Sequence, residues 1–416
     1  MSLAARLTAL QHAGRLPSVV GGVLRDGALT EVAGVGQDPA TAYRIGSITK
    51  TLTAVLVVQL RDDGLLTLDD PVGAHLPGIA YADLTLADLL GHTGGMQSEP
   101  TGPWWERSTG GTFAELAAAH DGSGAVTRPG DYFHYSNLGY GLLGEVVARL
   151  RGAPWWEVVR TRLLVPLGMS RTTWGPVAPH AQGHSVGHLT GVLADEPHTD
   201  TGAMAPAGQL WSTVADLAVW ATVLAGRRPD VLAPTSLAEM ATPRLDEGYG
   251  LGLRLVDVDG RRLVGHTGSM PGFLASLFVD PDTGDGSVVL ANGTTGLHAD
   301  GAPEALLTGT PPAQATAWVP STAVPAAVEP LLGFWFWGNT ATEWRWQHER
   351  IEVRVLQGGT LGHVFELRPD GRLVGVSGYH RGETLHVHEH HLECATFVYT
   401  RTPYDPRAPI PGADAS

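Results

Sequence analysis

The sequence predicts an α/β chain in two parts. One sheet is assembled from distant segments with helices inserted between them, and a small antiparallel barrel or sandwich follows. Three observations carry this. Strand-like runs occupy 18–24 and 28–35, then return only at 249–256, 262–265, 274–279 and 287–291. Between them, from residue 66 to about 236, the pattern is mainly helical segments and long loops. Beyond a Pro-, Ala- and Thr-rich stretch at 308–330, it changes to short alternating strands with turns such as Pro369-Asp370-Gly371.

Taken in order, residues 1–15 form an amphipathic helix with Leu3, Leu7 and Leu10 on one face. A hairpin turns at Arg25-Asp26-Gly27. A helix after Ser47 carries Leu52, Val55, Leu56 and Leu60 at helical spacing, and Gly64 stops it. Further helices are predicted at 85–90, 112–119, 138–151, 155–164 and 212–225, the last with Ser212 as N-cap. The C-terminal part shows seven strands, at 334–337, 343–346, 351–356, 364–367, 373–377, 384–388 and 396–400. The expected layout is a first domain at 1–307, a linker at 308–330, a barrel domain at 331–405 and a tail at 406–416. There is no internal repeat.

With 416 residues, 43% hydrophobic and 17% charged, the chain has the composition of a globular protein with ample core. A net charge of −15 argues against a nucleic-acid partner. The single cysteine, Cys394, excludes an intrachain disulfide. No run is apolar enough to span a membrane, and the first residues lack the apolar core of a signal peptide, so a cytoplasmic protein is expected.

Chemistry centres on Gly46-Ser47-Ile48-Thr49-Lys50. Ser47 offers a nucleophilic hydroxyl, and Lys50, three residues on, shares its helix face. Lys50 is the only lysine among 27 Lys and Arg residues. Arginine stays protonated in proteins, whereas a buried lysine can lose its proton. One lysine kept beside a serine marks a position where an amine must switch charge. The magnitudes point to burial as the cause: a helix N-terminus contributes about 0.3–1 kcal/mol, and desolvation up to about 3–5 pKa units.

Two more groups are needed, a proton carrier and an oxyanion site. Tyr135-Ser136-Asn137, at the mouth of a helix, supplies a phenol and an amide. Tyr135 can act as a phenolate beside the Lys50 ammonium or as a neutral relay, and the residues leave both open. His266-Thr267-Gly268-Ser269 lies on a predicted strand, where Gly268 would let a substrate backbone approach.

Ser47-x-x-Lys50, Tyr135-Ser136-Asn137 and His266-Thr267-Gly268, in that order and rough separation, resemble the serine β-lactamase and penicillin-binding-protein superfamily, in its class C and DD-peptidase branch. Supporting stretches are Leu89 through Gly95, Tyr135 through Gly144 and Gly208 through Trp220. The resemblance implies an antiparallel sheet flanked by helices, with a mainly helical subdomain and the site between them. It implies a Ser47 acyl-enzyme, with Lys50 and Tyr135 as coupled base and acid, Asn137 on the acyl amide, and the backbone N–H groups of Ser47 and Ser269 as oxyanion hole. Class C β-lactamases carry lysine where this chain has His266. A permanent charge for a β-lactam carboxylate is then missing, and efficient β-lactam hydrolysis is not expected.

The expected function is acyl transfer from a peptide, ester or thioester. The alternatives are a penicillin-binding-protein-type thioesterase that macrocyclises a nonribosomal peptide, and a catalytically silent scaffold. Such thioesterases also carry a C-terminal lipocalin-like barrel. A peptidyl carrier protein is then a partner, docking on basic residues such as Arg227-Arg228 or Arg261-Arg262. Neither cofactor nor metal is expected, and the alternating His386, His388 and His390 read as a solvated strand. Arg401, directly after the last strand, is a candidate for gripping a substrate carboxylate.

Overall fold

The computed structural model describes residues 2–309, 316–405, 407–409 and 411. The chain divides into two compact units, Met1–Ser185 with Asp195–Trp318, and Val186–Ala194 with Val319–Ser416. Residues 310–315 of the expected linker, and 406, 410 and 412–416 of the expected tail, lie outside the described residues.

In the first unit, α1 (Leu3–Gly14) leads into β1 (Val19–Arg25) and β2 (Ala28–Val35). Then follow α2 (Thr49–Asp62), α3 (Asn137–Arg151) and α4 (Val214–Leu224) among shorter helices and loops. Strands resume with β3 (Arg254–Val258), β4 (Arg261–Met270), β5 (Phe273–Val279) and β6 (Gly286–Ala291), and α5 (Ala302–Leu307) comes last. The six strands form one antiparallel sheet in the order β2-β1-β6-β5-β4-β3. The distant segments therefore do meet, with β1 paired to β6.

Period-2 alternation explains how helices cover both faces. Val19 and Val23 of β1, with Phe278 and Val289, pack with Leu3 and Leu7 of α1 and Leu306 of α5. Val20 and Leu24, with Leu277 and Leu290, face the larger core that holds α2, α3 and α4. Strands β1, β5 and β6 are buried on both sides, which is why the sequence shows dense hydrophobic runs there. The predicted cap of α4 moves by one residue. Thr213 caps it, accepting from the Asp216 N–H at 3.2 Å, while Ser212 pairs with Tyr43 in a two-stranded bridge.

In the second unit, eight strands close an antiparallel barrel: β7 (Gly333–Trp337), β8 (Thr340–Gln347), β9 (Arg350–Val355), β10 (Leu361–Leu367), β11 (Leu373–Ser377), β12 (Thr384–Val387), β13 (His391–Cys394) and β14 (Phe397–Thr400). Closure is through β7 and β14, where Phe336 faces Thr400. Trp344, Ile351, Phe365 and Leu392 fill the interior. The sequence reading missed β13. A tight turn after Val387, with the His388 N–H bonded to the His391 carbonyl, folds the histidine run back on itself, so His386, His388 and His390 are not one strand face. Val328, inside the expected linker, packs into the barrel core with Leu331. Leu189 joins the same unit, its carbonyl accepting from the Trp346 N–H.

Candidate active site

Ser47 sits in a single 3-10 turn, Gly46–Ile48, that runs straight into α2. In 3-10 geometry side chains at i and i+3 eclipse. The turn thus brings Lys50 Nζ within 3.0 Å of Ser47 Oγ. Nζ also donates to Asn137 Oδ1 at 2.6 Å and to the Ala207 carbonyl at 2.7 Å. Both of these partners are acceptors only. Asn137 is held in that orientation because its Nδ2 donates to Glu99 Oε1 at 2.7 Å, and the other Glu99 oxygen accepts from Trp105 Nε1 at 2.6 Å. A neutral amine has two N–H donors and one lone pair. With both donors taken by Asn137 and Ala207, the lone pair is left for the Ser47 hydroxyl proton.

Lys50 is fully buried. Burial pulls its pKa down to about 7, against an opposing push from the Glu99 and Glu106 carboxylates. Desolvation raises the Tyr135 phenol above its ordinary value, opposed by its hydrogen bond with Ser47 and by the Arg254 charge. Tyr135 is therefore a neutral phenol at pH 7 in the free protein, and the Lys50 amine lies 5.0 Å from the centre of its ring.

The strand carrying His266 lies against the serine turn because two glycines permit it. Gly46 has φ of +52°, and a Cβ there would sit 2.6 Å from Ser269 N. A Cβ on Gly268 would meet the Ile45 carbonyl oxygen at 2.0 Å. Gly268 therefore serves the packing of β4 on the segment before Ser47, which corrects the expectation that it opens the strand to substrate. The same close approach brings Ser269 N beside Gly46 and Ser47.

His266 is buried, and its ring is tied at both ends. Nδ1 donates to the Thr267 carbonyl at 2.6 Å, so Nε2 is the acceptor for the Tyr249 hydroxyl at 3.1 Å. Tyr249 in turn accepts from His92 Nε2 at 3.1 Å, and His92 Nδ1 accepts from the Ser136 N–H at 3.0 Å. One consistent set of tautomers satisfies the whole chain. Burial, reinforced by the Lys50 charge, holds both imidazoles well below the usual histidine range. With no proton free to give, His266 fits a positioning role rather than the catalytic one expected.

A cavity of about 440 Å³ opens over Ser47, Tyr135, Thr267 and Ser269. Arg254 of β3 stands on its wall, donating to Thr267 Oγ1 at 3.1 Å and paired with Asp300 at 3.2 Å. The permanent charge that His266 cannot supply is thus present, from a residue 12 positions earlier in the sequence. Sequence reasoning missed Arg254, Glu99 and Tyr249, which carry no motif and acquire meaning only through these contacts.

The remaining expected residues are placed as follows. Asn137 accepts from Lys50 through Oδ1 and gives one Nδ2 hydrogen to Glu99, which leaves its second amide hydrogen for a substrate carbonyl. Arg401 belongs to the barrel unit, where its guanidinium donates to the Pro330, Leu332 and Phe334 carbonyls and stacks on Trp335. Those bonds use three of its five N–H donors. Arg227, Arg228, Arg261 and Arg262 are each paired with an aspartate.

A helix-flanked antiparallel sheet, with this serine and lysine at the start of a buried helix, defines a serine hydrolase of the β-lactamase-related kind. Residues 3–310 match the Beta-lactamase family, and the chain belongs to it. Residues 324–401 match a domain of unknown function, DUF7586. Penicillin-binding protein 4 of Amycolatopsis lactamdurans is 30% identical over 325 residues, covering 69% of this chain and 84% of that one. A D-stereospecific amidohydrolase from Streptomyces sp. is 28% identical with a TM-score of 0.65, covering 74% of this chain and all of the other. SurE, also solved with D-Leu, is 26% identical with a TM-score of 0.62, covering 96% of this chain and 98% of its own. No helix among the described residues is long and apolar enough to cross a membrane.

Proposed function

We propose that the protein is a covalent serine acyltransferase or hydrolase acting on an amide, ester or thioester of a D-configured residue. The observation that carries this is the 3.0 Å approach of Lys50 Nζ to Ser47 Oγ, with two acceptors holding the other amine protons. Neutral Lys50 takes the Ser47 proton as Oγ attacks the substrate carbonyl. The oxyanion forms against the backbone N–H groups of Ser47 and Ser269. The proton passes from Lys50 through the Tyr135 hydroxyl to the leaving group, giving the Ser47 acyl-enzyme. Water, or a substrate amine, then attacks along the same path in reverse.

D-configuration is supported by two similar structures, a D-stereospecific amidohydrolase and SurE with D-Leu. Arg254 on the cavity wall suits a substrate carboxylate. The test is intact-mass analysis after incubation with activated esters of D- and L-phenylalanine. A stable adduct of the D-acyl group on Ser47 is expected, and no adduct with either enantiomer would leave a silent scaffold.

A second reading, peptide cyclisation by a thioesterase, is favoured by the closed eight-stranded barrel in the second unit. A peptidyl carrier protein would then be the partner. A peptidyl thioester with a free N-terminal amine separates the readings through its ratio of cyclic to linear product.

A further inference from the structure

Outside the catalytic unit, one group of side chains has no part in the chemistry above. The turn between β11 and β12 carries His380 and Glu383, and the pairing of Leu385 with Cys394 brings the end of β13 alongside it. His380 Nδ1 lies 2.7 Å from Glu383 Oε2, and the Cys394 thiol contacts the same oxygen at 3.8 Å. One ligand atom from each of the three lies within 4.8 Å of the other two. We propose that the barrel unit binds one zinc ion through His380, Glu383 and Cys394, with water as fourth donor.

The geometry suits a tetrahedral site. Zinc bonds of about 2.0–2.3 Å place ligand atoms roughly 3.3–3.8 Å apart, so the three donors need only small shifts. His380 and Cys394 are fully buried, whereas the Glu383 side chain is 41% exposed and leaves a way in. The turn is rigid, since Gly375 and Glu383 bond to each other and to their neighbours through the backbone. His380 Nε2 sits 3.2 Å from the Tyr399 hydroxyl, the outer hydrogen bond that metal-bound histidines make. Thiolate with imidazole selects zinc over harder cations. On binding, Cys394 releases its thiol proton to solvent. His380 moves its ring proton from Nδ1 to Nε2, where the Tyr399 oxygen accepts it.

The exposed group His388, His391 and Glu393 is a competing site for added metal, so the test must separate the two. Full-length protein, stripped with a chelator, is titrated with Co²⁺. The expected result is one equivalent showing a thiolate-to-cobalt charge-transfer band and intense tetrahedral d–d bands, both displaced by Zn²⁺. Cys394→Ser removes the charge-transfer band. Glu383→Gln, which preserves shape, weakens affinity at least about ten-fold. His388→Ala with His391→Ala leaves the spectrum intact. A folded wild-type protein with no charge-transfer band overturns the proposal, as does binding abolished by the double variant and untouched by Cys394→Ser.

Discussion

Lys50 Nζ lies 3.0 Å from Ser47 Oγ, and its other two hydrogen bonds go to acceptors that cannot return a proton. The hydroxyl is therefore the only one of its three partners able to donate to the amine, and loss of a proton at Nζ is coupled to activation of the serine.

Lys50→Arg keeps the charge and removes the ability to lose it. Acylation of Ser47 should fall by about 10²–10⁴-fold, with the circular dichroism spectrum of the folded protein retained. Intact mass after a timed exposure to activated ester measures this, and unchanged labelling would refute the base assignment.

With Lys50 pulled down to about 7, kcat/KM should rise with pH through an apparent pKa near 7, because the neutral amine is the active form. Tyr135→Phe removes the relay and should lower the plateau by about 10²–10⁴-fold while the limb near 7 stays. A limb that vanished in Tyr135→Phe would transfer the titration to the phenol.

Gly268→Ala places a methyl group 2.0 Å from the Ile45 carbonyl oxygen. Strain of this kind costs about 1–3 kcal/mol, and β4 must move away from the serine turn. Thermal unfolding should register the loss, and activity should drop further than stability alone accounts for, since the Ser269 N–H moves with the strand. Wild-type kcat in this variant would dissociate β4 from the oxyanion site.

His92 and His266 are held neutral in the fold, with folded pKa values below the unfolded value of about 6.5. Below that pH the unfolded chain binds protons that the native state does not, so their contribution to stability is intact above 6.5 and is lost as pH falls toward their folded values. Chemical denaturation at pH 7.5 and 5.0 should show lower stability at pH 5.0. His266→Gln should reduce the difference, and an identical pH slope in that variant would exclude His266 as its source.

The sheet, the helical insertion and the change of character near residue 330 were legible because hydrophobic periodicity is a local property. The hairpin turn at Asp26-Gly27 and the Ser47–Lys50 pair were legible for the same reason, being set by spacings of two to four residues. Strand β13 was not, because His391–Cys394 is four residues long and follows a polar turn, and only barrel closure gives it partners on both sides.

By itself the sequence determined that one lysine, three residues beyond a serine, would have to work as a switchable amine, and that a phenol and a histidine strand would attend it. Tertiary structure decided the rest. It buried Lys50 and aimed its lone pair through Glu99 and Asn137. It turned His266 inward to Tyr249, and it brought Arg254 to the cavity in its stead. The physical reason is that charge state and hydrogen-bond direction depend on what surrounds a group in space, and residues 49 to 216 positions from Lys50 compose that surrounding.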